Sequence, residues 1–502
     1  MGSAASKVPT YTAQSTRTSV DEKQRDTRDM VTSLRSLSLG SPQSADGTIT
    51  AANVANWESD VAANPKLQLT RTILNHTHLQ TALLSRAAHI ADQHVFNTEV
   101  DFKTNPITNQ KSSGRCWLFA STNVLRYNVM KKLNLSEFQL SQSYLFFWDK
   151  LNKSNYFLEN TIELADAPID DRLVNYLAGD LISDGGQWDM VVNLVETYGV
   201  VPQSVFPESF HSSMSAPLNT LLKTKLREDS LVLRSLRGTL RATGNLSEEA
   251  VVATLRAKKE EQMKEIYTII SSALGVPPSA TEKFSYDYYD KDGKPGHWEG
   301  TPKQFYSAVA TDKYSPADAF SLINDPRNDY GKLYTVNRLG NLWGGRPVLY
   351  VNTEIDDLKN AVVKMLKAGL PVFFGCDVGK YSDKDAGIMD TALYEYENAF
   401  DITLGLSKAD RLRVNESSMT HAMVISGVHL DSAGKPLRYK VENSWGETAG
   451  EKGYFVMTDK WFDEFVYQVV VPKQIAPKHL VSVYEGSERV VLPAWDPMGS
   501  LA

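Results

Sequence analysis

Apolar residues recur at spacings of three and four from Cys116 to Leu135, through Trp117, Ala120, Val124, Tyr127 and Met130. That period predicts a long helix, and Asn109-Gln110-Lys111-Ser112-Ser113-Gly114 before it is turn material. A helical pattern starts earlier, near Ala52, with Val54, Trp57, Val61, Leu67 and Leu69 among polar residues. A second long helix is predicted after Asp184-Gly185-Gly186, through Met190, Leu194 and Val195 to Gly199. Two charged amphipathic helices, 218–240 and 247–274, follow on either side of Thr243-Gly244-Asn245. Then come a Tyr-rich, turn-rich stretch (Tyr286, Tyr288, Tyr289) and a helix over 353–368.

The last third reads differently. Pro371 to Gly375 is a short buried run, and residues 422–428 and 438–443 flank a turn with Asp431, Gly434 and Pro436, as a hairpin does. Residues 453–457 supply another strand. Helices first and strands later point to an α+β fold in packed subdomains, not to alternating βα units. The chain is divided accordingly into a disordered tail (1–50), a helical lobe (51–211), a helical and irregular insertion (212–345), a β-rich lobe (346–490) and a terminal segment (491–502).

Composition narrows the class. The chain has 502 residues with ordinary hydrophobic (42%) and charged (23%) fractions, so it can bury a large core without disulfides. Two cysteines, Cys116 and Cys376, exclude a disulfide scaffold and a CxxC…CxxC metal site, and fit reduced thiols of an intracellular protein. No apolar run reaches the 18 residues of a transmembrane helix, and no secretory leader is expected. Met1-Gly2-Ser3-Ala4-Ala5-Ser6 fits the myristoylation pattern, and residues 1–20 carry Lys7 and Arg17 without an acid, as a mitochondrial presequence does. An unmodified tail in a cytoplasmic protein is the simpler reading. The net charge of −7 argues against a dedicated nucleic-acid binder. Even so, Lys223, Lys225, Arg227, Arg234, Arg237 and Arg241 along one helix leave a weak nucleic-acid patch as an alternative to a solvated face.

Candidate chemistry centres on Cys116. A cysteine at the first turn of a helix, after a Gly-containing turn, sits where backbone N–H groups and the helix dipole stabilise a thiolate. Acyl transfer by a thiolate also needs an imidazole, a group that orients it, and donors for the oxyanion. Gln110, six positions earlier, is placed to turn its amide toward that oxyanion. Among the nine histidines, His76, His78, His89 and His94 lie in a polar helical stretch and His297 in a turn. His421 differs, opening an apolar strand whose partner strand ends in Asn443-Ser444-Trp445-Gly446. An Asn443 amide would accept from one ring nitrogen and leave the other for the thiol, with Trp445 shielding the bond from water. Cys376 reads as structural. No cofactor or metal is called for.

Together these segments resemble the papain-like cysteine peptidases, whose signature is C-G-[SA]-C-[WY] with His and Asn about 130–150 residues downstream. Ser113 replaces the first cysteine, a disulfide half in secreted relatives, which agrees with a reducing compartment. His421 lies about 300 residues beyond Cys116, and the 212–345 insertion accounts for most of the excess. The stretches 322–327, 419–423 and 495–499 narrow the resemblance to an intracellular aminopeptidase branch, covering the chain from about residue 60. The resemblance implies a two-lobed fold, with Cys116 as nucleophile, His421 as acid/base, Asn443 as its orienter and Gln110 as oxyanion donor. It implies that Gly185 and Gly186 pair with substrate backbone; the residues Asp184-Gly185-Gly186 by themselves read equally as a helix-capping turn. It also implies a C-terminal arm in the cleft, with the Ala502 carboxylate meeting the substrate's α-amine. The expected partners are peptides and related amides with a free N-terminal amine, and five further copies in a homohexamer assembled partly through the insertion.

Overall fold

The computed structural model describes residues 47–309 and 315–501. The myristoylation and presequence patterns and Ala502 lie outside them. The chain divides into two units. In the first, helices Ala51–Ala63 and Pro65–Leu74 are separated at Asn64, whose side chain accepts from the Lys66 and Leu67 N–H groups while Pro65 opens the second helix. This unit also holds Leu79–Ala82 and Tyr396–Ile402, joined by Lys66–Asp401 (2.9 Å) and by the Thr70 hydroxyl donating to the Ala399 carbonyl. The expected 51–211 lobe therefore breaks after Ala82: residues up to there pack with a segment more than 300 positions away, which no local pattern reveals.

The second unit places helices before sheet. Cys116–Leu133, Gln142–Glu163 and Trp188–Tyr198 are largely buried all round and form the helical side. The sheet has twelve strands among the described residues. At its centre, Val466–Pro472, Val372–Cys376, His421–Leu430, Pro436–Glu442 and Tyr454–Thr458 run side by side and antiparallel. The expected hairpin is present, with Val424 opposite Glu442. The Cys116 helix packs on the His421 strand, bringing the start of one to the start of the other. The fold is α+β, as the order of elements predicts.

Two sequence readings change. Ala319–Ile323 joins the large sheet by pairing with Val466–Pro472, so part of the expected 212–345 insertion belongs to the β-rich side. The Tyr-rich stretch is a hairpin, Phe284–Tyr289 with Pro295–Gly300, because alternation puts Phe284, Tyr286 and Tyr288 on one face. His297 thus lies on a strand, its Nδ1 2.6 Å from Asp287, not in a turn.

The two long insertion helices are Ala216–Ala242 and Glu248–Leu274. Leu218, Leu222, Leu226 and Leu233 from the first, and Leu255, Ile266 and Ile270 from the second, join the core shared with Gln142–Glu163. The basic residues of the first helix are spoken for. Lys223 pairs with Asp180, Lys225 with Asp229 and Glu265, and Arg237 and Arg241 with Asp166 and Glu248. Arg227 donates to the Ala178 and Gly179 carbonyls, and Arg234 to those of Leu164 and Ala167. The side chains that suggested a phosphate-binding stripe form an intrachain network. Among the described residues, no helix is long and apolar enough to cross a membrane.

Candidate active site

Cys116 is the first residue of its helix, and no side chain caps that end, so the first-turn N–H groups stay aimed at the thiol. Burial pushes the thiol up to about 11, while the N–H groups of Ala422, Trp117 and Cys116 itself pull it back. Ala422 follows His421, so the strand carrying the imidazole also donates to the sulfur.

His421 Nε2 lies 2.9 Å from Asn443 Oδ1, which also accepts from the Ser444 N–H at 2.8 Å. Because Oδ1 is the acceptor of both bonds, the ring proton sits on Nε2 and Nδ1 keeps its lone pair as a base. Burial lowers the imidazole to about 4, against a raising contribution from the Asn443 bond. The Trp445 ring packs 5.0 Å from that of His421 and covers the pair.

Gln110 is held at both ends. Ser444 Oγ donates to its Oε1 at 2.7 Å, and its Nε2 donates to the Ser113 carbonyl at 2.7 Å. One Nε2 proton remains for a developing oxyanion beside the Cys116 turn. The structure thus sets His421 on Asn443 and beside Trp445, Gln110 on Ser444, and Cys116 against the Ala422 N–H; Ser444 joins them as the residue that orients Gln110. Its place inside the Asn-Ser-Trp-Gly motif was the available signal.

Gly185 and Gly186 occupy different environments. Gly185 lies on the wall of a cleft of about 610 Å³, shared with Tyr176, Met190, Ser500 and Leu501, and its carbonyl accepts from Lys153 at 2.6 Å. Gly186 lies on the indole of Trp117, where an added Cβ would come within 2.5 Å of the ring. Trp117 is fully buried, so it has nowhere to retreat. Gly186→Ala is expected to lower the melting temperature by several degrees in a circular-dichroism melt, from an overpacking cost of about 1–3 kcal/mol.

The terminal segment runs along this cleft. Gln187 Nε2 donates to the Ser500 carbonyl at 2.7 Å, and Ser500 Oγ donates to the Met419 carbonyl at 2.8 Å. Arg327 clamps Asp496 at 2.8 Å, and the Arg172 guanidinium stacks 3.8 Å over the Trp495 ring. Cys376, read as structural, is fully buried directly across the sheet from His421. Burial holds its thiol well above the usual range, so it packs as a neutral group. Asp184, read in the sequence only as part of a turn, is the centre of a buried network described below. Among the described residues, no group of three or more His, Cys, Asp or Glu side chains is placed to hold a metal ion.

A helical side presenting a cysteine at a helix start, against a strand presenting an Asn-bound histidine, defines a cysteine-type peptidase. The chain belongs to the Peptidase C1-like family, whose profile matches residues 48–499. It is 43% identical over 461 residues to the mitochondrial cysteine proteinase 1 of Saccharomyces cerevisiae (strain ATCC 204508 / S288c), covering 91% of this chain and 93% of that one. It is 43% identical to aminopeptidase C of Streptococcus thermophilus (88% and 97% covered) and 42% identical to bleomycin hydrolase of Homo sapiens (90% and 99%). The crystal structure of PepW from Lactobacillus rhamnosis superposes with a TM-score of 0.85 at 42% identity, covering 91% of this chain and all of that one.

Proposed function

We propose that this chain is an intracellular aminopeptidase that releases N-terminal residues from peptides and also cleaves related amides of the bleomycin type. Cys116 Sγ attacks the scissile carbonyl as its proton passes to His421 Nδ1. Gln110 Nε2 and the Cys116 N–H hold the oxyanion. The imidazolium then protonates the departing amine, leaving a thioester. Water, deprotonated by the same imidazole, hydrolyses that thioester and restores the thiol. Asn443 keeps the ring in the required tautomer throughout.

The observation that carries the exopeptidase reading is the ordered terminal segment on the cleft wall, with Ser500 and Leu501 beside Gly185. A carboxylate at Ala502, one residue further, pairs with a substrate's free α-amine and blocks longer chains. The test compares aminoacyl-coumarin amides with their N-acetylated forms. The intact chain is expected to prefer the free amine by more than ~10²-fold, the scale of a desolvated ion pair. Deleting Leu501-Ala502 should erase most of that preference; an unchanged preference would overturn the role given to the arm. The unpaired cysteines and Ser113 support a reducing compartment, cytoplasmic or, through the tail, mitochondrial. Assembly as a homohexamer, implied by the resemblance, is read directly by sedimentation.

A further inference from the structure

The turn before Cys116 is held from behind by residues the mechanism above does not use. Asp184 is 8% exposed, and each of its carboxylate oxygens takes two donors. Oδ2 accepts from the Gly114 N–H at 3.0 Å and from Ser215 Oγ. Oδ1 accepts from Asn219 Nδ2 at 2.8 Å and pairs with the buried Lys150 Nζ at 2.6 Å. The Asp184 carbonyl accepts from Trp117 Nε1 at 2.6 Å, so this one residue grips the chain on both sides of Cys116. The fit at Gly114 is close, since a Cβ there would lie 3.0 Å from that of Asp184. The neighbouring residues are tied to the same place. The Ser112 N–H donates to the Ser213 carbonyl at 2.9 Å, and Arg115 pairs with Glu208 at 2.9 Å. Ser215 and Asn219 stand at the start of the first long insertion helix.

We propose that Asp184 is a positioning residue for the Cys116 turn, and that the root of the insertion, Ser213 to Asn219, is thereby part of the catalytic apparatus. The inference rests on Cys116 being the nucleophile. A displacement of about 1 Å in a reacting atom costs about 10²-fold in rate, and Asp184 is the only described carboxylate that fixes the Gly114 N–H. Its charge is also felt at the sulfur, raising the thiol. Loss of position and loss of charge therefore act in opposite directions: the first slows turnover, whereas the second makes the thiolate easier to form.

The experiment uses the full chain with Asp184→Asn and, separately, Ser215→Ala/Asn219→Ala. Steady-state hydrolysis of an aminoacyl-coumarin is compared with the pH dependence of Cys116 alkylation by iodoacetamide. For Asp184→Asn, kcat is expected to fall about 10- to 100-fold with KM within about threefold, while the acid limb of alkylation moves to lower pH. The double variant keeps the Asp184–Lys150 pair; its kcat should fall about 5- to 20-fold with the alkylation limb in place. An unchanged kcat in folded Asp184→Asn, or a loss carried by KM alone, overturns the proposal. If Asp184→Asn does not fold, the double variant decides alone: wild-type kcat overturns it. Alkylation is read independently of hydrolysis, so a failure of the nucleophile assignment, seen as an active Cys116→Ala, is distinguishable from a failure of this one.

Discussion

Cys116→Ala is expected to lower kcat/KM for aminoacyl-coumarin hydrolysis by at least ~10⁴-fold, the scale seen when a covalent nucleophile is removed and only binding and oxyanion donors remain. The other parts of the site do not depend on the sulfur. Gln110 stays bonded to Ser444 and Ser113, and His421 to Asn443. Removing one sulfur from a 2% exposed position leaves a small cavity, so the fold should survive with a loss of about 1–2 kcal/mol. Cys116→Ser is expected to be nearly as inactive, because an alcohol in that buried place is far less acidic than the thiol. Cys376→Ala is the informative control. It too is buried, and it lies across the sheet from His421. It should retain activity within about threefold, the scale of a core truncation outside the reacting atoms. Thiol-sensitive hydrolysis that survived in Cys116→Ala and vanished in Cys376→Ala would transfer the nucleophile to the second cysteine.

Most of this centre was legible in the sequence because its parts are local signals. A turn followed by a three-and-four period announces a helix with Cys116 at its start, and the helix occupies Cys116–Leu133. An apolar run opening on His421 and a second closing on Asn443 announce a hairpin, and the hairpin delivers the bond between them. Asp184 was not legible. Its importance lies in Lys150, Ser215 and Asn219, each more than 30 positions away, and a buried carboxylate looks like a surface one until its partners are known. The basic helix failed in the opposite way. Its charges were plain, but most of the acids and carbonyls that absorb them come from residues 164–180 and from the following helix, with Asp229 supplied by the helix itself. Ala319–Ile323 is five buried residues with no alternation, a pattern that a strand shares with a piece of buried helix. Composition set the compartment more than the chemistry: two cysteines suggested a reducing environment, and only the fold showed how near they lie to one imidazole.

His421→Ala should slow alkylation of Cys116 by iodoacetamide at pH 7 by about 10³- to 10⁴-fold, with the acid limb moving far to the alkaline side. The sign follows from burial. Burial holds the thiol up to about 11 and the imidazole down to about 4, so each group alone is neutral at pH 7. A charge on one is tolerated when the other carries the opposite charge. The thiolate therefore forms by moving the proton to Nδ1, and the N–H groups of Ala422, Trp117 and Cys116 receive the negative sulfur. Without the imidazole, the proton must leave for bulk water from a buried site, and the thiolate fraction at pH 7 falls by about tenfold for each unit that separates the pH from the thiol's own value. Asn443→Ala acts in the same direction but less strongly. It removes the bond that raises the imidazole and strands a buried Nε2–H, so alkylation should slow by about 10- to 100-fold. Restoring the acceptor with Asn443→Asp should bring the ring proton back to Nε2 and shift the limb to lower pH than in Asn443→Ala. Equal alkylation rates at pH 7 in the wild type and His421→Ala would mean that the imidazole does not take the thiol's proton, and the pairing that the mechanism rests on would be wrong.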